Sequence, residues 1–403
     1  MAGPLSHLRV LDLSRVLAGP WSGQLLADLG AEVIKVERPG EGDDTRGWGP
    51  PFLKDKDGKD TAESAYYLST NRGKRSVTID FTQPEGQELV RRLAAKSDIV
   101  LENFKLGGLA KYGLDYAGLK AVKPDIIYCS ITGFGQDGPY AQRAGYDFLI
   151  QGMGGLMSLT GEPGGQPMKV GVALTDIFTG MYASTAVLAA LAHRDRTGVG
   201  QHIDLSLLDV QVAVLANQAT NYLVGGKVPN RLGNAHPNIV PYQAFATKDG
   251  HIILAVGNDG QFRRFTQVAG RPELGTDPLF AANVDRVRNR AQLVPILEEL
   301  IAQRPSARWI DELEQAGVPC GPINTLDQVF ADPQVRHRGM AVNMAHPQAG
   351  EVTLVANPIK MSETPVAYDR APPSLGADSS EVLTTLLGLD TDELGRLGAK
   401  GII

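Results

Sequence analysis

The chain has 403 residues, 43% hydrophobic and 21% charged, so it is long enough for two or three domains and too apolar to be largely disordered. Its 39 basic and 45 acidic residues give a net charge of −6, which argues against a dedicated partner of nucleic acid or of a membrane. Two cysteines in apolar runs, Cys129 and Cys320, and an N-terminus without an apolar leader indicate a cytoplasmic protein.

Short apolar runs alternate with helical patterns through the first half of the chain. Helices are predicted near residues 21–29 and 82–96, the second opened by a capping box of Thr82 and Glu85. Strands that are separated by helices of about 10–15 residues form βαβ units and a mostly parallel sheet. We therefore predict an α/β protein with an open, doubly wound sheet, whose strands lie at residues 8–13, 32–37, 99–102, 126–131 and 201–205.

Two polar or glycine-rich stretches interrupt this pattern. Residues 40–73 form a long polar excursion of the kind that carries function, and residues 152–171 are expected to form a mobile loop. An apolar helical pattern follows from Asp176 to His193 and is predicted to be a buried helix, and its apolar run, Met181 to Ala192, is too short to span a bilayer.

The pattern changes again beyond Lys227. A hairpin over residues 243–255 and helices near 261–269 and 287–301 predict a separate, smaller α+β domain over residues 228–325. We place a large domain at residues 1–200, a helical linker at 201–227 and an extended, proline-bearing segment at 326–403.

Gly133 to Gly138 match the G-x-G-x-x-G pattern of dinucleotide-binding loops after a predicted strand. Pro139 follows at once and no helix opens there, so we interpret the segment as a loop at the carboxyl end of a strand. No histidine or cysteine has metal-ligand spacing, so no metal site is predicted. Basic residues near strand ends could converge on phosphates or could be ordinary surface residues: Arg38, Lys74, Arg75, Lys105 and Lys111.

Asp176 is the leading candidate for a catalytic residue, because one carboxylate opens an apolar helix. The helix dipole and the free amides of the first turn would favour its ionised form, which could attack an activated acyl group. The alternative is an ordinary N-capping aspartate.

Several motifs together resemble the family III CoA-transferases of the CaiB/BaiF type. The resemblance spans nearly the whole chain and rests on residues 10–20, 28–40, 71–76, 102–104, 132–139, 317–322 and 370–376. It implies a Rossmann-like large domain formed from both chain ends, a smaller domain between them, and a homodimer with interlocked chains. It also implies that coenzyme A is a substrate, so that no cofactor is required.

The resemblance also implies a role for individual residues. Asp176 aligns with the catalytic aspartate, which forms covalent aspartyl intermediates with the acyl group and with coenzyme A, and Gly257 and Gly260 align with a glycine-rich loop that covers it. The other substrate-binding residues that the resemblance implies are Val16, Leu17, Ala18, Arg38, Arg46, Trp48, Ile79, Asn103, Phe104, Lys111, Gly133 and Phe134.

The motifs also bear on the choice among branches of the family. Tyr146 stands where the racemases have a histidine, which favours a transferase over a 2-methylacyl-CoA racemase, and Leu17 replaces a glutamine of the oxalate enzymes. The likeness is greatest to enzymes that use succinyl-CoA and a dicarboxylate such as glutarate, for whose distal carboxylate Arg46 or Lys169 is the candidate cation. A non-catalytic CoA-binding protein is the third possibility, and the presence of Asp176 argues against it.

Overall fold

The computed structural model describes residues 3–403, which divide into two compact units. The first contains the described residues up to Gly154 together with Gly171–Val214 and Pro333–Ile403, and the second contains Gly155–Val170 and Leu215–Asp332. Both ends of the chain therefore belong to the first unit. The predicted small domain, residues 228–325, lies inside the second unit, whereas the predicted linker over 201–227 is divided between the two units at residue 214.

Strands and helices follow one another along the chain in mixed order. The strands are β1 (Arg9–Asp12), β2 (Glu32–Glu37), β3 (Phe52–Lys54), β4 (Asp60–Ser64), β5 (Lys74–Thr78), β6 (Ile99–Glu102), β7 (Ile127–Thr132), β8 (His202–Ser206), β9 (Tyr242–Ala246), β10 (His251–Ala255), β11 (Cys320–Pro322), β12 (Ala341–His346) and β13 (Gly350–Val355).

The α-helices are α1 (Ala18–Asp28), α2 (Ala65–Leu68), α3 (Pro84–Ala95), α4 (Tyr116–Val122), α5 (Asp147–Met153), α6 (Leu156–Leu159), α7 (Leu174–Thr197), α8 (Leu207–Ala213), α9 (Ala216–Gly225), α10 (Asp259–Val268), α11 (Asn283–Arg288), α12 (Arg290–Ile301), α13 (Ser306–Gln315), α14 (Leu326–Ala331), α15 (Pro333–His337), α16 (Ser379–Leu387) and α17 (Thr391–Ala399).

Six parallel strands form the main sheet of the first unit, in the order β5-β2-β1-β6-β7-β8. The predicted α/β class and parallel sheet are confirmed. The strand order changes direction between β1 and β6, and the loops after these two strands meet at the carboxyl edge, where open parallel sheets bind ligands.

Apolar side chains cover both faces of the main sheet. Adjacent residues of a strand point to opposite faces, so that Val10 belongs to one buried cluster and Leu11 to the other. Helices α1 and α7 supply the cluster of Val10, whereas α3, α16 and α17 contribute to the cluster of Leu11. The end of the chain, through Leu397 and Ile402, thus completes a core that the first strand begins.

Strand β5 was not predicted, because its first residues, Lys74 and Arg75, suggested a surface segment that could bind a ligand. The structure corrects this prediction for Lys74, which is fully buried and donates to Asp12 (2.8 Å) and to the carbonyl oxygen of Pro20 (2.9 Å). A buried lysine with two partners inside the unit is not available to a substrate.

The predicted capping box at Thr82 and Glu85 is also wrong. The cap of α3 is Gln83, which makes no side-chain capping hydrogen bond. Glu85 pairs instead with Arg396 and Lys400, 2.8 and 2.9 Å away. Two cations, one in α17 and one directly after it, therefore attract the side chain that was predicted to cap α3.

Helix α7 packs closely on α1. A Cβ atom on Gly180 would lie 2.6 Å from the carbonyl oxygen of Ala18 and 3.0 Å from Trp21, so only glycine allows this approach. The hydroxyls of Ser22 and Ser184 hydrogen-bond across the same contact (3.0 Å). Helix α7 is long and apolar enough to cross a membrane, but half of its apolar window is buried in the first unit, in agreement with the predicted core helix.

The second unit has its own sheet and core. Its three strands have the order β11-β10-β9, and the antiparallel pairing of Ala246 with His251 closes the predicted hairpin. Helices α10, α12 and α13 cover this sheet around the buried side chains of Phe265 and Trp309. Cys129 of the first unit and Cys320 of the second are free thiols.

Candidate active site

Asp176 lies in the first turn of α7, as the sequence predicts. No side chain at Ala173, the residue that precedes the helix, caps it. Instead, Asp147 at the start of α5 accepts hydrogen bonds from the backbone amides of Thr175 (2.8 Å) and Asp176 (3.3 Å). The capping carboxylate is thus Asp147, and the alternative that Asp176 is an ordinary N-cap is wrong.

Burial, followed by the negative charge of Asp147, raises the pKa of Asp176 to about 7. The sequence predicted a shift in the opposite direction, because the amides of a helix N-terminus favour an ionised carboxylate. Those amides donate to Asp147, whose other oxygen accepts from the Gln151 side chain (2.7 Å). Asp176 therefore titrates near neutral pH, and its ionised form is more basic than that of an ordinary aspartate.

Asp176 opens into a cavity of about 160 Å³ at the carboxyl edge of the main sheet. Its walls are the segments that follow β1, β6 and β7, together with the start of α7. The structure brings together seven of the predicted site residues on these walls: Val16, Leu17, Ala18, Asn103, Phe104, Gly133 and Asp176.

A second cavity, of about 540 Å³, lies along the same edge. Arg15, Phe104 and Lys105 line both cavities, so the two adjoin, and together they are called the groove. Four predicted residues line the second cavity: Arg38, Ile79, Phe104 and Lys111. Its basic side chains can receive phosphate groups while Asp176 stands at the other end of the groove.

Predicted residue Phe134 supports the first cavity from behind. Its ring meets Tyr140 edge to face with 5.6 Å between ring centres, and the guanidinium of Arg143 lies over both rings, at 5.2 and 4.6 Å. Arg143 lines the cavity with Asp176, and no carboxylate among residues 3–403 forms an ion pair with it. The two rings orient a cation whose charge is available to a ligand.

Predicted residue Trp48 packs edge to face on Tyr66, with 5.2 Å between ring centres. Burial and the charges of Asp176 and Asp147 raise the pKa of Tyr66 to about 12, so its hydroxyl stays protonated at neutral pH. The pair therefore places a neutral hydrogen-bond donor near the two carboxylates.

Arg46, the predicted cation for a distal carboxylate, is buried inside the first unit, and this prediction is wrong. Its guanidinium donates to both oxygens of Glu37 (2.8 Å each), to Tyr67 (2.6 Å) and to the carbonyl oxygen of Pro373 (3.1 Å), and Glu63 lies 3.7 Å away. Because of these partners, the charge of Arg46 is not available to a substrate. Its bonds to Glu37 on β2 attach the polar excursion, residues 40–73, to the main sheet.

Gly257 and Gly260 lie in the second unit, at the junction of β10 with α10. The amide of Gly257 donates to the Gln261 side chain (2.7 Å), and Asn258 caps α10 by accepting from the Gln261 amide (2.9 Å). Their role toward a substrate stays a prediction.

The sequence analysis assigned no substrate or catalytic role to five residues that the structure places at the site, although it used Tyr146 to distinguish a transferase from a racemase: Arg15, Tyr66, Arg143, Tyr146 and Asp147. Three of them belong to the short run Arg143–Asp147, which follows the glycine loop after β7. A cation, an aromatic ring and a carboxylate just beyond a strand end are the signal that could have found them.

Comparisons with known proteins agree with this geometry. The sequence model described as CoA-transferase family III matches residues 5–379. Succinate–glutarate CoA-transferase of Agrobacterium fabrum is 54% identical over 95% of this chain and 96% of its own, and human succinyl-CoA:glutarate CoA-transferase is 44% identical over 99% and 90%. A solved CaiB/BaiF family protein from Brucella suis is 55% identical with a TM-score of 0.84, and covers 96% of this chain and 100% of that one.

Proposed function

Because the chain belongs to CoA-transferase family III, we propose that it moves coenzyme A from succinyl-CoA to a free dicarboxylate such as glutarate. The observation that carries this proposal is Asp176, a carboxylate with a raised pKa in a cavity whose neighbour along the same sheet edge contains Arg38, Lys105 and Lys111. Both acids are the substrates named for the relatives of this chain.

The first half of the reaction loads the enzyme. A carboxylate oxygen of Asp176 attacks the thioester carbonyl of succinyl-CoA, and the C–S bond breaks to give a succinyl–aspartyl anhydride and the CoA thiolate. The thiolate then attacks the aspartyl carbonyl of the anhydride, and succinate leaves as the free carboxylate. The product is an aspartyl-CoA thioester.

The second half is the reverse with a different acid. A carboxylate oxygen of glutarate attacks the aspartyl thioester and releases the CoA thiolate, which then attacks the glutaryl carbonyl of the new anhydride. Glutaryl-CoA forms and Asp176 returns as a free carboxylate. Since one thioester replaces another, the residues around Asp176 have to exclude water, which would hydrolyse the intermediates.

The groove divides these tasks among its residues. Arg38 and Lys111 in the second cavity suit the phosphates of coenzyme A, and Arg15 and Lys105 stand where the two cavities join. Leu17 and Ala18 form the start of α1 in the catalytic cavity, where the positive end of the helix dipole can stabilise a developing oxyanion.

Arg143 is the cation that suits the distal carboxylate of a dicarboxylate. Arg15 and Lys105 line both cavities, whereas Arg143 lines only the one that contains Asp176. Its charge has no acidic partner among the described residues, and a guanidinium can bind a carboxylate through two parallel hydrogen bonds.

We also propose that the protein is a homodimer with interlocked chains and that it works in the cytoplasm. Support for the dimer comes from family membership and from a first unit that contains both chain ends. The free thiols of Cys129 and Cys320 suit a reducing compartment.

Trapping tests the covalent route. The enzyme, incubated with succinyl-CoA and no acceptor and then treated with hydroxylamine, should carry a modification on the peptide that contains Asp176, as read by mass spectrometry. Asp176→Asn should carry none, because an amide is too weak a nucleophile. Asp209→Asn, a matched change in the first turn of α8, should be labelled like the natural enzyme. A label on Asp147 or Asp209, or transfer without any label, would contradict the mechanism.

Acceptor specificity tests the role of Arg143. We expect Arg143→Gln to raise the KM for glutarate about tenfold to a hundredfold, the usual range for loss of a charge-assisted pair, and to leave the KM for a monocarboxylate such as valerate unchanged. An equal rise for both acids would place Arg143 elsewhere in the mechanism. Exchange of the α-proton of a 2-methylacyl-CoA with solvent deuterium, without transfer, would favour the racemase.

A further inference from the structure

Val16, on the wall of the catalytic cavity, has a left-handed backbone with φ of +71°. This region is unfavourable for every residue with a Cβ atom and is a clear outlier for a β-branched one. Such a conformation persists only where the surroundings impose it, and it recurs at functional sites. The cause therefore has to be sought in the contacts of the segment that contains Val16.

Two side chains hold the backbone here: Asn103 accepts from the amide of Arg15 (2.9 Å) and donates to its carbonyl oxygen (2.6 Å), and a buried aspartate accepts from the amide of Val16. The backbone amide of Val16 lies 3.2 and 3.3 Å from the two carboxylate oxygens of Asp43. Asp43 is itself fixed, because it accepts from the ammonium of Lys35 (2.8 Å) and from the amide and hydroxyl of Thr45 (2.9 and 2.7 Å). The side chains of Asp43 and Lys35 are both fully buried.

The same charges fix the chain on the N-terminal side of Val16. Lys35 donates to the carbonyl oxygen of Ser14 (2.9 Å), and the amide and hydroxyl of Ser14 donate to Asp12 (2.9 and 2.5 Å). Lys74 joins Asp12 to the first turn of α1, as described above. The buried side chains of Lys35 and Lys74 therefore hold the carbonyl oxygens of Ser14 and Pro20, and Asp43 holds the amide of Val16.

We propose that Asp43 is a positioning residue of the transferase, which keeps Val16 in its left-handed conformation and thereby places Leu17 and Ala18 in the catalytic cavity. The inference rests on the proposed function, since it takes the groove to be the site of coenzyme A. Asp43 contacts Val16 only through the backbone amide, and it lies on the wall of the second cavity, whereas Val16 lies on the wall of the first.

The neighbouring residue provides a natural contrast. Asp44 contacts the same segment through an ion pair with the Arg15 side chain (3.1 Å), and both partners are about half exposed. Its bond holds a side chain at the surface, whereas the bond of Asp43 holds the backbone from inside. Exposed ion pairs contribute little, so Asp44 should matter much less than Asp43.

The test is the affinity for free coenzyme A, measured by calorimetry with thermal unfolding of each variant as a check of folding. We expect Asp43→Asn to raise the Kd about tenfold, the factor that the strain of one left-handed residue corresponds to, and Asp44→Asn to raise it less than about threefold. The effect of Asp43→Asn is then measured again in Val16→Gly and in Val16→Ala. Glycine adopts a positive φ freely, so it should abolish most of the tenfold loss, whereas alanine should retain it.

A merely structural role for Asp43 would lower the unfolding temperature by the same amount in all three backgrounds, with no rescue of affinity by glycine, and this result would overturn the proposal. Should Asp43→Asn fail to fold, Val16→Pro serves instead, because proline lacks the amide hydrogen and cannot adopt a positive φ. It should lose affinity at least tenfold relative to Val16→Gly, and equal affinities would refute the proposal. An enzyme that binds coenzyme A but transfers it to no acid would contradict the proposed function alone.

Discussion

Asp176 and Asp43 are aspartates of the same unit whose environments have opposite effects. Burial raises the pKa of each, and for Asp176 the like charge of Asp147 raises it further, so that its pKa reaches about 7. For Asp43 the attraction of Lys35 and the hydrogen bonds from Lys35 and Thr45 outweigh burial, and its pKa falls to about 2. The number and sign of the partners, more than depth, separate the two.

This contrast shows that one kind of buried carboxylate in the unit is reactive and the other stabilises the structure. A carboxylate that is fully paired is stable and chemically inert, because its lone pairs and charge are already engaged. A carboxylate beside a like charge is destabilised when ionised and is available to attack. Asp176 in the catalytic cavity is a carboxylate beside a like charge, and Asp43 is a fully paired one.

The largest expected effect is the loss of the reactive carboxylate. Asp176→Asn should lower kcat by about ten-thousandfold or more, the range seen when a catalytic nucleophile is removed, with little change in the Kd for coenzyme A. Relative to the natural enzyme, the substitution should raise the free energy of unfolding more at pH 8 than at pH 4, because ionisation of Asp176, whose pKa is near 4 unfolded and about 7 folded, destabilises the natural folded state as pH rises. Transfer that stays above one per cent would refute its role.

Removing a buried structural cation should have the opposite effects, a large loss of stability and little change in the KM for the acceptor acid. Arg46→Met leaves Glu37 and Glu63 buried without their cation and should lower the free energy of unfolding by about 3–5 kcal/mol, as measured with urea. Below the unfolding transition, the KM for glutarate should stay within about twofold. Arg91→Met, which breaks an exposed pair with Glu88, is the control and should cost about 0–1 kcal/mol. A KM effect of Arg46→Met would restore Arg46 to the site.

A smaller effect is expected when the like charge beside Asp176 is removed. The rate constant kcat/KM of the natural enzyme should rise with pH through about 7 as Asp176 ionises. Asp147→Asn removes the like charge, lowers the pKa of Asp176 and should shift this rise to lower pH. Asp209→Asn should leave the profile in place. An unchanged profile in Asp147→Asn would show that burial alone determines the pKa.

The smallest effect is expected at Thr82. Its hydroxyl donates to Asp80 (2.6 Å) on the surface and does not cap α3, so Thr82→Ala should change the melting temperature by less than about 1 °C. Calorimetric melting of the purified protein is sufficient. A loss of several degrees would mean that the capping interaction forms in solution after all.

Much of the fold could be predicted from local sequence. Strands β2 and β6 have the predicted bounds, because their runs of β-branched and apolar residues leave one interpretation. Strand β5 was missed because Lys74 is buried through Asp12, a partner 62 residues earlier in the chain. A pattern of neighbouring residues contains no information about a partner at that distance.

The site divides in the same way. The resemblance and the helical pattern both led to Asp176, and seven predicted residues line its cavity. The direction of its pKa was missed because Asp147, 29 residues away, takes the amides of α7. Arg46 was misassigned for a related reason, since its bond to Glu37 depends on how the polar excursion folds back onto β2. Charged residues could be located from the sequence, but their partners could not.

The closing of the first unit by its own C-terminus has a consequence for synthesis on the ribosome. Asp378 accepts from the amide of Ser76, Ile402 accepts from the amide of Asp80, and Leu397 fills the core beside Val77. These contacts cannot form until residues 378–402 have left the exit tunnel, although β5 was translated some 300 residues earlier. Until then, part of one apolar face of the main sheet, which α3 alone does not cover, stays exposed on the nascent chain, and such a surface is prone to aggregation.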